Sequence, residues 1–301
     1  MAFSATDAAF EGFRVVRRQP MALVFWALFY LVVMVAALAM VGGSVIGLMG
    51  AAETLEQSGA TSFEDVMPVL SGYMAIFAVV LPVSLIASAM IYAAVSRAVL
   101  RPSESAFGYL RLGMDEVRVL VVSIVLTILF IVLSVVVFGI VGMVAGMSAA
   151  ADMPALWLVV VLLVCAAIAL FIWLAVRLSL AIPITMAERR IAIFDSFAVT
   201  KGRFWPLLGM ALLAFVMSIV VSLLGSLVAM PIQLATGGIE GLAGLEGESI
   251  PTILQAAWPA IAAWVVINAV ISALQVAVVY APFSAAYRDI KGGQPNAAVF
   301  D

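Results

Sequence analysis

The chain has 301 residues, 66% of them hydrophobic, and a mean hydropathy of +1.26. Apolar runs beyond about 18 residues indicate membrane-spanning helices, and a composition this apolar excludes a water-soluble domain. The net charge is −3 with no dense basic block, which excludes a nucleic-acid surface, and histidine is absent, which excludes imidazole acid–base chemistry, His metal ligands and His triads.

The first lead-in segment, residues 4–18, predicts an amphipathic helix capped by Ser4 with Asp7 in its first turn. Asp7, Glu11, Arg14 and Arg18 fall on one face, and Phe3, Phe10, Phe13 and Val16 on the other. Two charge-free runs follow, 19–52 and 66–96, separated by a gap whose only charges are Glu53, Glu56, Glu64 and Asp65. A second lead-in, 103–118, repeats the amphipathic pattern, with Phe107, Leu110, Met114 and Val117 opposite Glu104, Arg111, Asp115 and Arg118. Runs 119–151 and 153–176 form the next pair. The third lead-in, 191–204, sets Ile193, Phe194 and Phe197 against Asp195 and Lys201 and precedes runs 204–239 and 249–287. Helices with such moments lie in the headgroup layer.

Each run exceeds the roughly 20 residues that carry a helix across about 30 Å of hydrocarbon. None alternates in polarity as barrel strands do. The expected fold is therefore all-α, with six transmembrane helices arranged as three hairpins in a single membrane domain. The hairpins with their lead-ins occupy 1–96, 97–176 and 177–290, and 291–301 is a short polar tail. A small residue, Phe and a base four positions later recur as Ala9-Phe10-Arg14, Ala106-Phe107-Arg111 and Ser196-Phe197-Lys201. This reads either as a threefold repeat or as the likeness that all amphipathic helices share.

The charges alternate across the runs. Both tails and the second and fourth gaps hold all 14 Lys and Arg residues against 9 acids, whereas the other three gaps hold 8 acids and no base. Short loops rich in Lys and Arg stay cytoplasmic, so both termini are expected in the cytoplasm. The positive face suits anionic headgroups.

Proline punctuates the pattern. Pro20, Pro68, Pro154, Pro206 and Pro251 stand near the heads of runs, where a missing N–H costs nothing. Pro82, Pro183, Pro231, Pro259 and Pro282 lie inside and predict kinks or ends. Gly142 and Gly146 have the spacing of a close helix contact, within the chain or between copies, and Gly139 extends their small-residue face. The lone Cys165 rules out an intrachain disulfide.

Candidate site residues fall in two places. Arg177 follows 24 uncharged residues. It either sits inside the membrane on a helix continuing to Glu188, or snorkels to headgroups from a span that ends near Val176, with Pro183 marking a break. With Glu188, Arg189, Arg190, Lys201, Arg203 and Trp205 it builds an interface of bases and aromatics, fit to hold a lipid headgroup or to anchor the fold. Gly202 suits a left-handed turn there. The second place is the face of the last run carrying Asn268, Ser272 and Gln275. Together with the Ser218, Ser222 and Ser226 stripe, it supplies either packing hydrogen bonds or a polar cavity. Gln233 lies near the outer end of the fifth run.

The stretch 176–209 reads VRLSLAIPITMAERRIAIFDSFAVTKGRFWPLLG. It resembles the membrane domain associated with bacterial glycerophosphoryl diester phosphodiesterases and the related stand-alone inner-membrane proteins of unknown function. Arg177, Pro183, Glu188, Ser196, Lys201, Gly202, Phe204 and Trp205 fill the places of that pattern. The close of the last run, Ala281-Pro282 to Tyr287-Arg288-Asp289, is also similar. The resemblance implies a six-helix membrane architecture and an association with lipid metabolism. It does not bring the phosphodiesterase activity, which belongs to a separate soluble domain that relies on histidines and metal-binding carboxylates.

Motifs of nucleotide-binding, hydrolase and metal sites are missing, so no catalytic residue, metal or cofactor is expected. The expected function is that of a non-catalytic, multi-pass protein of the bacterial inner membrane. It would engage anionic lipid, or a lipid-metabolism or envelope partner in the membrane, through its basic cytoplasmic face. The alternative is a small permease or lipid-translocating transporter. Membrane lipids are the expected partners, and nucleic acid is not.

Overall fold

A computed structural model describes residues 4–59, 62–150, 154–235 and 250–292. The described residues form helices and turns with no strand. The chain begins with two short helices, α1 (Ala5–Ala9) and α2 (Glu11–Arg18). The long helices α3 (Pro20–Ser58) and α4 (Phe63–Leu100) follow as a hairpin. Next come α5 (Met114–Ala150) and α6 (Pro154–Leu178), then the short α7 (Ala181–Glu188) and α8 (Asp195–Val199). The last two are α9 (Phe204–Ala235) and α10 (Ile250–Gly292). Six helical stretches are long and apolar enough to cross a membrane, and only 11–28% of their most apolar windows is buried within the bundle. The outward side chains need lipid rather than water around them, so this is an all-α, multi-pass membrane protein.

Local sequence explains the helix ends. Pro20 opens α3, where its missing N–H is no loss. Gly59 closes α3 with φ of 61°, a conformation glycine adopts without steric cost. Ser62 and Asp65 form a reciprocal capping box at the head of α4. The Ser4 hydroxyl accepts from the Asp7 amide at 3.4 Å, as the capping pattern predicts.

Two of the three lead-in segments differ from expectation. Residues 103–118 are not one helix. They form a loop with a 3-10 turn at Ala106–Tyr109, and α5 begins only at Met114. The reason lies in tertiary contacts, which override amphipathic periodicity. Tyr109 is buried, the Trp26 indole N–H donates to the Gly108 carbonyl at 2.7 Å, and the Arg97 guanidinium donates to the Tyr109 carbonyl. These anchors hold Phe107, Gly108 and Tyr109 at φ of 51°, 65° and 66°. Left-handed backbone at non-glycine residues costs on the order of 1–3 kcal/mol each and persists where surroundings over-determine it. A Cβ on Gly108 would lie 2.7 Å from the Phe25 Cβ, so this position needs glycine twice over. In the third segment only Asp195–Val199 is helical before α9 begins at Phe204.

The first segment is helical but does not lie apart from the bundle. Ala8, Ala9, Glu11, Gly12 and Val15 are buried, with α1 and α2 packed against α9 and α10. A Cβ on Gly12 would come within 2.4 Å of the Ala277 carbonyl oxygen, so α2 crosses α10 backbone to backbone. The phenylalanines of the recurring triplet also sit differently. Phe10 links α1 and α2, Phe107 lies in the left-handed turn, and Phe197 lies within α8.

Helix α10 is the axis of the packing. It touches α1, α2, α3, α4, α7 and α9. Its buried stripe is Ala269, Ala273, Ala277, Ala281 and Ala285, one small residue every four. Small side chains let helix axes approach closely where no hydrophobic effect drives association. Helices α4 and α10 run parallel in register, pairing Tyr92 with Tyr280 and Ser96 with Ser284. Gly225 lies against Ile271 across α9 and α10, and Gly72 against Leu48 across α3 and α4. The glycines that the sequence marks for close contact do not make one among the described residues: a Cβ on Gly139, Gly142 or Gly146 would meet nothing within 4 Å.

Candidate functional site

The bases and their partners gather at the end of the bundle where α4 and α10 finish and where α3, α5 and α9 begin. This is the basic end. Three knots of ion pairs organise it. In the first, Arg97 at the close of α4 is buried and bonds Glu116 of α5 at 2.5 Å, with Glu104 at 3.8 Å. Arg101 bonds Asp115 at 3.1 Å and the Met186 carbonyl of α7 at 2.5 Å, and Arg118 joins Asp115 at 2.8 Å. In the second, Glu188 receives Arg190 at 2.6 Å, Lys291 at 2.9 Å and the Tyr287 hydroxyl at 3.2 Å. Hydrogen bonds from Arg190 to Asp195 and Glu188 hold its guanidinium above its usual pKa. In the third, buried Glu11 binds Arg14 at 3.1 Å and Arg288 at 3.3 Å, so α2 is pinned to α10.

These knots use the acids of the basic end but not all of its bases. Arg17, Arg18, Arg177, Arg189, Lys201 and Arg203 have no carboxylate partner among the described residues. Arg189 stands in an exposed turn at φ of 52° and borders an open cleft of about 440 Å³. That cleft is also walled by Arg97, Arg101, Arg111 and Arg118 and by the carboxylates Glu104, Asp115 and Glu116. Five guanidiniums against three carboxylates leave the cleft positive. Exposed apolar side chains surround this end, among them Phe107, Leu112, Ile191, Phe194 and Trp205. Bases interleaved with aromatic and aliphatic side chains match the interface between hydrocarbon and headgroups.

The structure divides the predicted interface rather than gathering it. Around Arg177 the expected break is present, but the side chain turns to α8 and the residues after the break pack into the bundle. Helix α6 ends at Leu178, the chain breaks, and α7 starts two residues before Pro183. The Arg177 guanidinium donates to the Thr200 hydroxyl at 3.0 Å and lies 5.3 Å from the centre of the Phe197 ring. Ser196 donates to the Arg177 carbonyl at 2.7 Å and accepts from the Leu180 amide at 3.2 Å, so one buried hydroxyl ties the break to α8. Glu188 and Arg190 belong to the second knot. Arg189 alone of the predicted residues joins the arginine cleft. Lys201, Arg203 and Trp205 sit at the start of α9, where Gly202 adopts φ of 74° as expected of a left-handed turn.

The predicted polar face on the last run divides between a bond within its own helix and a bond to α9. The Asn268 amide turns back to the Trp264 carbonyl of its own helix at 3.0 Å, and Gln275 reaches the Ser218 carbonyl of α9 at 3.5 Å. Ser218 and Ser226 likewise bond carbonyls of α9 itself. Of these groups only Gln275 bonds across the seam of α9 and α10, and Ser272 lies between it and Asn268 on the same helix. The side chain of Gln233 and the acids Glu240, Glu246 and Glu248 lie outside the described residues.

A cavity of about 350 Å³ does exist, nearer the basic end, between α4, α5, the α6–α7 break and α10. Its hydroxyls are Ser88, Tyr92 and Ser96 of α4, Ser123 and Thr127 of α5, Ser179 of the break and Tyr280 of α10. The signal was present in the spacing, since 88, 92 and 96 and again 123 and 127 are four apart and share helix faces. Neither these hydroxyls nor the Arg97–Glu116 pair stood out in the sequence, because each is unremarkable alone and gains meaning only from its neighbour on another helix. No family model matches the chain, and no curated protein or solved structure is detectably similar to it.

Proposed function

We propose that this multi-pass membrane protein is a non-catalytic lipid-engaging protein of the bacterial inner membrane, with its basic end in the cytoplasm and anionic headgroups held in the arginine cleft. The observation that carries this reading is the unneutralised charge. The acids of the three knots are all engaged, yet Arg189 at the cleft and Arg17, Arg18, Lys201 and Arg203 elsewhere at the basic end have no carboxylate partner among the described residues. A phosphate group supplies the missing acceptors, and guanidinium meets it with paired N–H donors. The one-sided placement of Lys and Arg supports the cytoplasmic orientation, and the absence of histidine leaves no imidazole for acid–base or metal chemistry.

Native mass spectrometry of the full chain, purified with phosphatidylglycerol, tests this. A polybasic residue near an anionic surface contributes about 1 kcal/mol, or roughly fivefold in affinity per cation. The variants Arg189→Ala, Lys201→Ala and Arg203→Ala should each lower retained phosphatidylglycerol by roughly that factor. Arg190→Ala, which removes a cation already held by Glu188 and Asp195, should lower it less. Equal retention by all four variants and the native chain would sink the assignment.

A further inference from the structure

The hydroxyl-lined cavity is separate from the arginine cleft in both place and chemistry. Its volume of about 350 Å³ falls within the roughly 300–1,000 Å³ of ligand pockets. Its wall holds no carboxylate, ammonium or guanidinium; its polar atoms are hydroxyls, set among Leu85, Phe130, Ile182 and Phe283. Most of these hydroxyls whose bonds are defined are already paired. Tyr280 and Tyr92 share a hydrogen bond of 2.7 Å with their rings stacked 3.9 Å apart, Ser284 and Ser96 share one of 3.1 Å, and Ser179 donates to the Val176 carbonyl at 2.8 Å. Ser123 is the exception. It is 8% exposed, it lines the cavity, and its hydroxyl has no partner among the described residues. Buried polar atoms in folded proteins are matched by a partner, and an orphan one marks a place where something else supplies it.

The cavity also has a way out sideways. Leu126, Thr127 and Phe130 line both the cavity and a shallow groove that continues along α5 past Ile131, Ser134 and Val135. Those positions face outward, so the groove leads into the surrounding lipid. A site with hydrogen-bonding groups at its inner end and one apolar exit fits a molecule with one polar head and one hydrocarbon chain. The absence of charge in the wall selects the head, because an ion there would lose its hydration with nothing to neutralise it.

We propose that this cavity binds a neutral single-chain amphiphile of the monoacylglycerol class, its hydroxyl or ester oxygen bonded to Ser123 and its chain lying in the groove on α5. The site does not depend on the headgroup reading, and either can fail alone. The test uses the full chain in nanodiscs and a diazirine-bearing monoacylglycerol as the probe. Covalent label should concentrate in peptides covering 119–135 and 175–183 and fall away with excess unlabelled monoacylglycerol. Ser123→Ala removes one oxygen and little volume, so the fold and melting temperature should hold while apparent affinity falls about fivefold, the worth of one hydrogen bond. Ser123→Phe fills the site and should abolish competed labelling. If that variant does not fold, Ser123→Ala still decides. Label spread evenly over the lipid-facing helices, or unchanged affinity in Ser123→Ala, would overturn the proposal. Competition by phosphatidylglycerol as effective as by monoacylglycerol would overturn its choice of a neutral head.

Discussion

The two ends of the bundle are built on different principles. At the basic end the helices interlock: Trp26, Arg97, Tyr109, Ile91, Leu180 and Leu207 are all fully buried there, and three ion-pair knots cross between elements. Toward the acidic end α3 buries only Val41 beyond Trp26, and α5 only Ser148 beyond Ser123. A helix of 39 residues such as α3 runs about 58 Å, well past the roughly 30 Å of hydrocarbon. One end is thus held by its own side chains, and the other depends on the solvent it stands in. The lesson is that apolar composition puts the chain in the membrane, whereas polar side chains decide which part of it has a specific structure.

Perturbing each end in turn should break the comparison if it is wrong. The largest effect is expected at the Arg97–Glu116 pair. Removing one partner leaves a buried charge uncompensated, at a cost of about 3–5 kcal/mol. Arg97→Ala should therefore lose most folded protein on size exclusion or melt far lower, and Arg97→Met with Glu116→Leu should recover much of the loss. A smaller effect is expected from glycine substitutions. Gly12→Ala must displace the α10 backbone at Ala277 and should cost about 1–3 kcal/mol. Gly142→Ala, with nothing within 4 Å, should leave the melting temperature unchanged or raise it, by no more than about 1 kcal/mol. Equal destabilisation by the two substitutions would mean that the ends are packed alike.

Much of this architecture is legible in the chain itself. The six helices, the break before Pro183, the Ser4 cap and the left-handed turn at Gly202 follow from composition, proline and capping chemistry acting over a few residues. The 101–113 loop does not. Its pattern is amphipathic, but Trp26 and Arg97, each many residues away or on another helix, bind its carbonyls and pull it out of helical form. The candidate site divides in the same way. Arg189, Lys201 and Arg203 are readable as bases near the interface, whereas their being unneutralised depends on which carboxylates the fold delivers to Arg190, Arg97 and Arg101. The hydroxyl cavity needed α4, α5, α10 and the α6–α7 break to meet, while Gln275 bonds across to α9 and Asn268 bonds its own helix.

The central claim is that anionic lipid is held at one end of this molecule, in the cleft beside Arg189. The most direct measurement is photolabelling of the full chain in nanodiscs with a headgroup-tethered diazirine phosphatidylglycerol, mapped by peptide mass spectrometry. The account predicts label concentrated in 101–118 and 187–205 and weakened by Arg189→Ala. Label shared equally with 53–65 at the opposite end, or indifferent to Arg189, would contradict it.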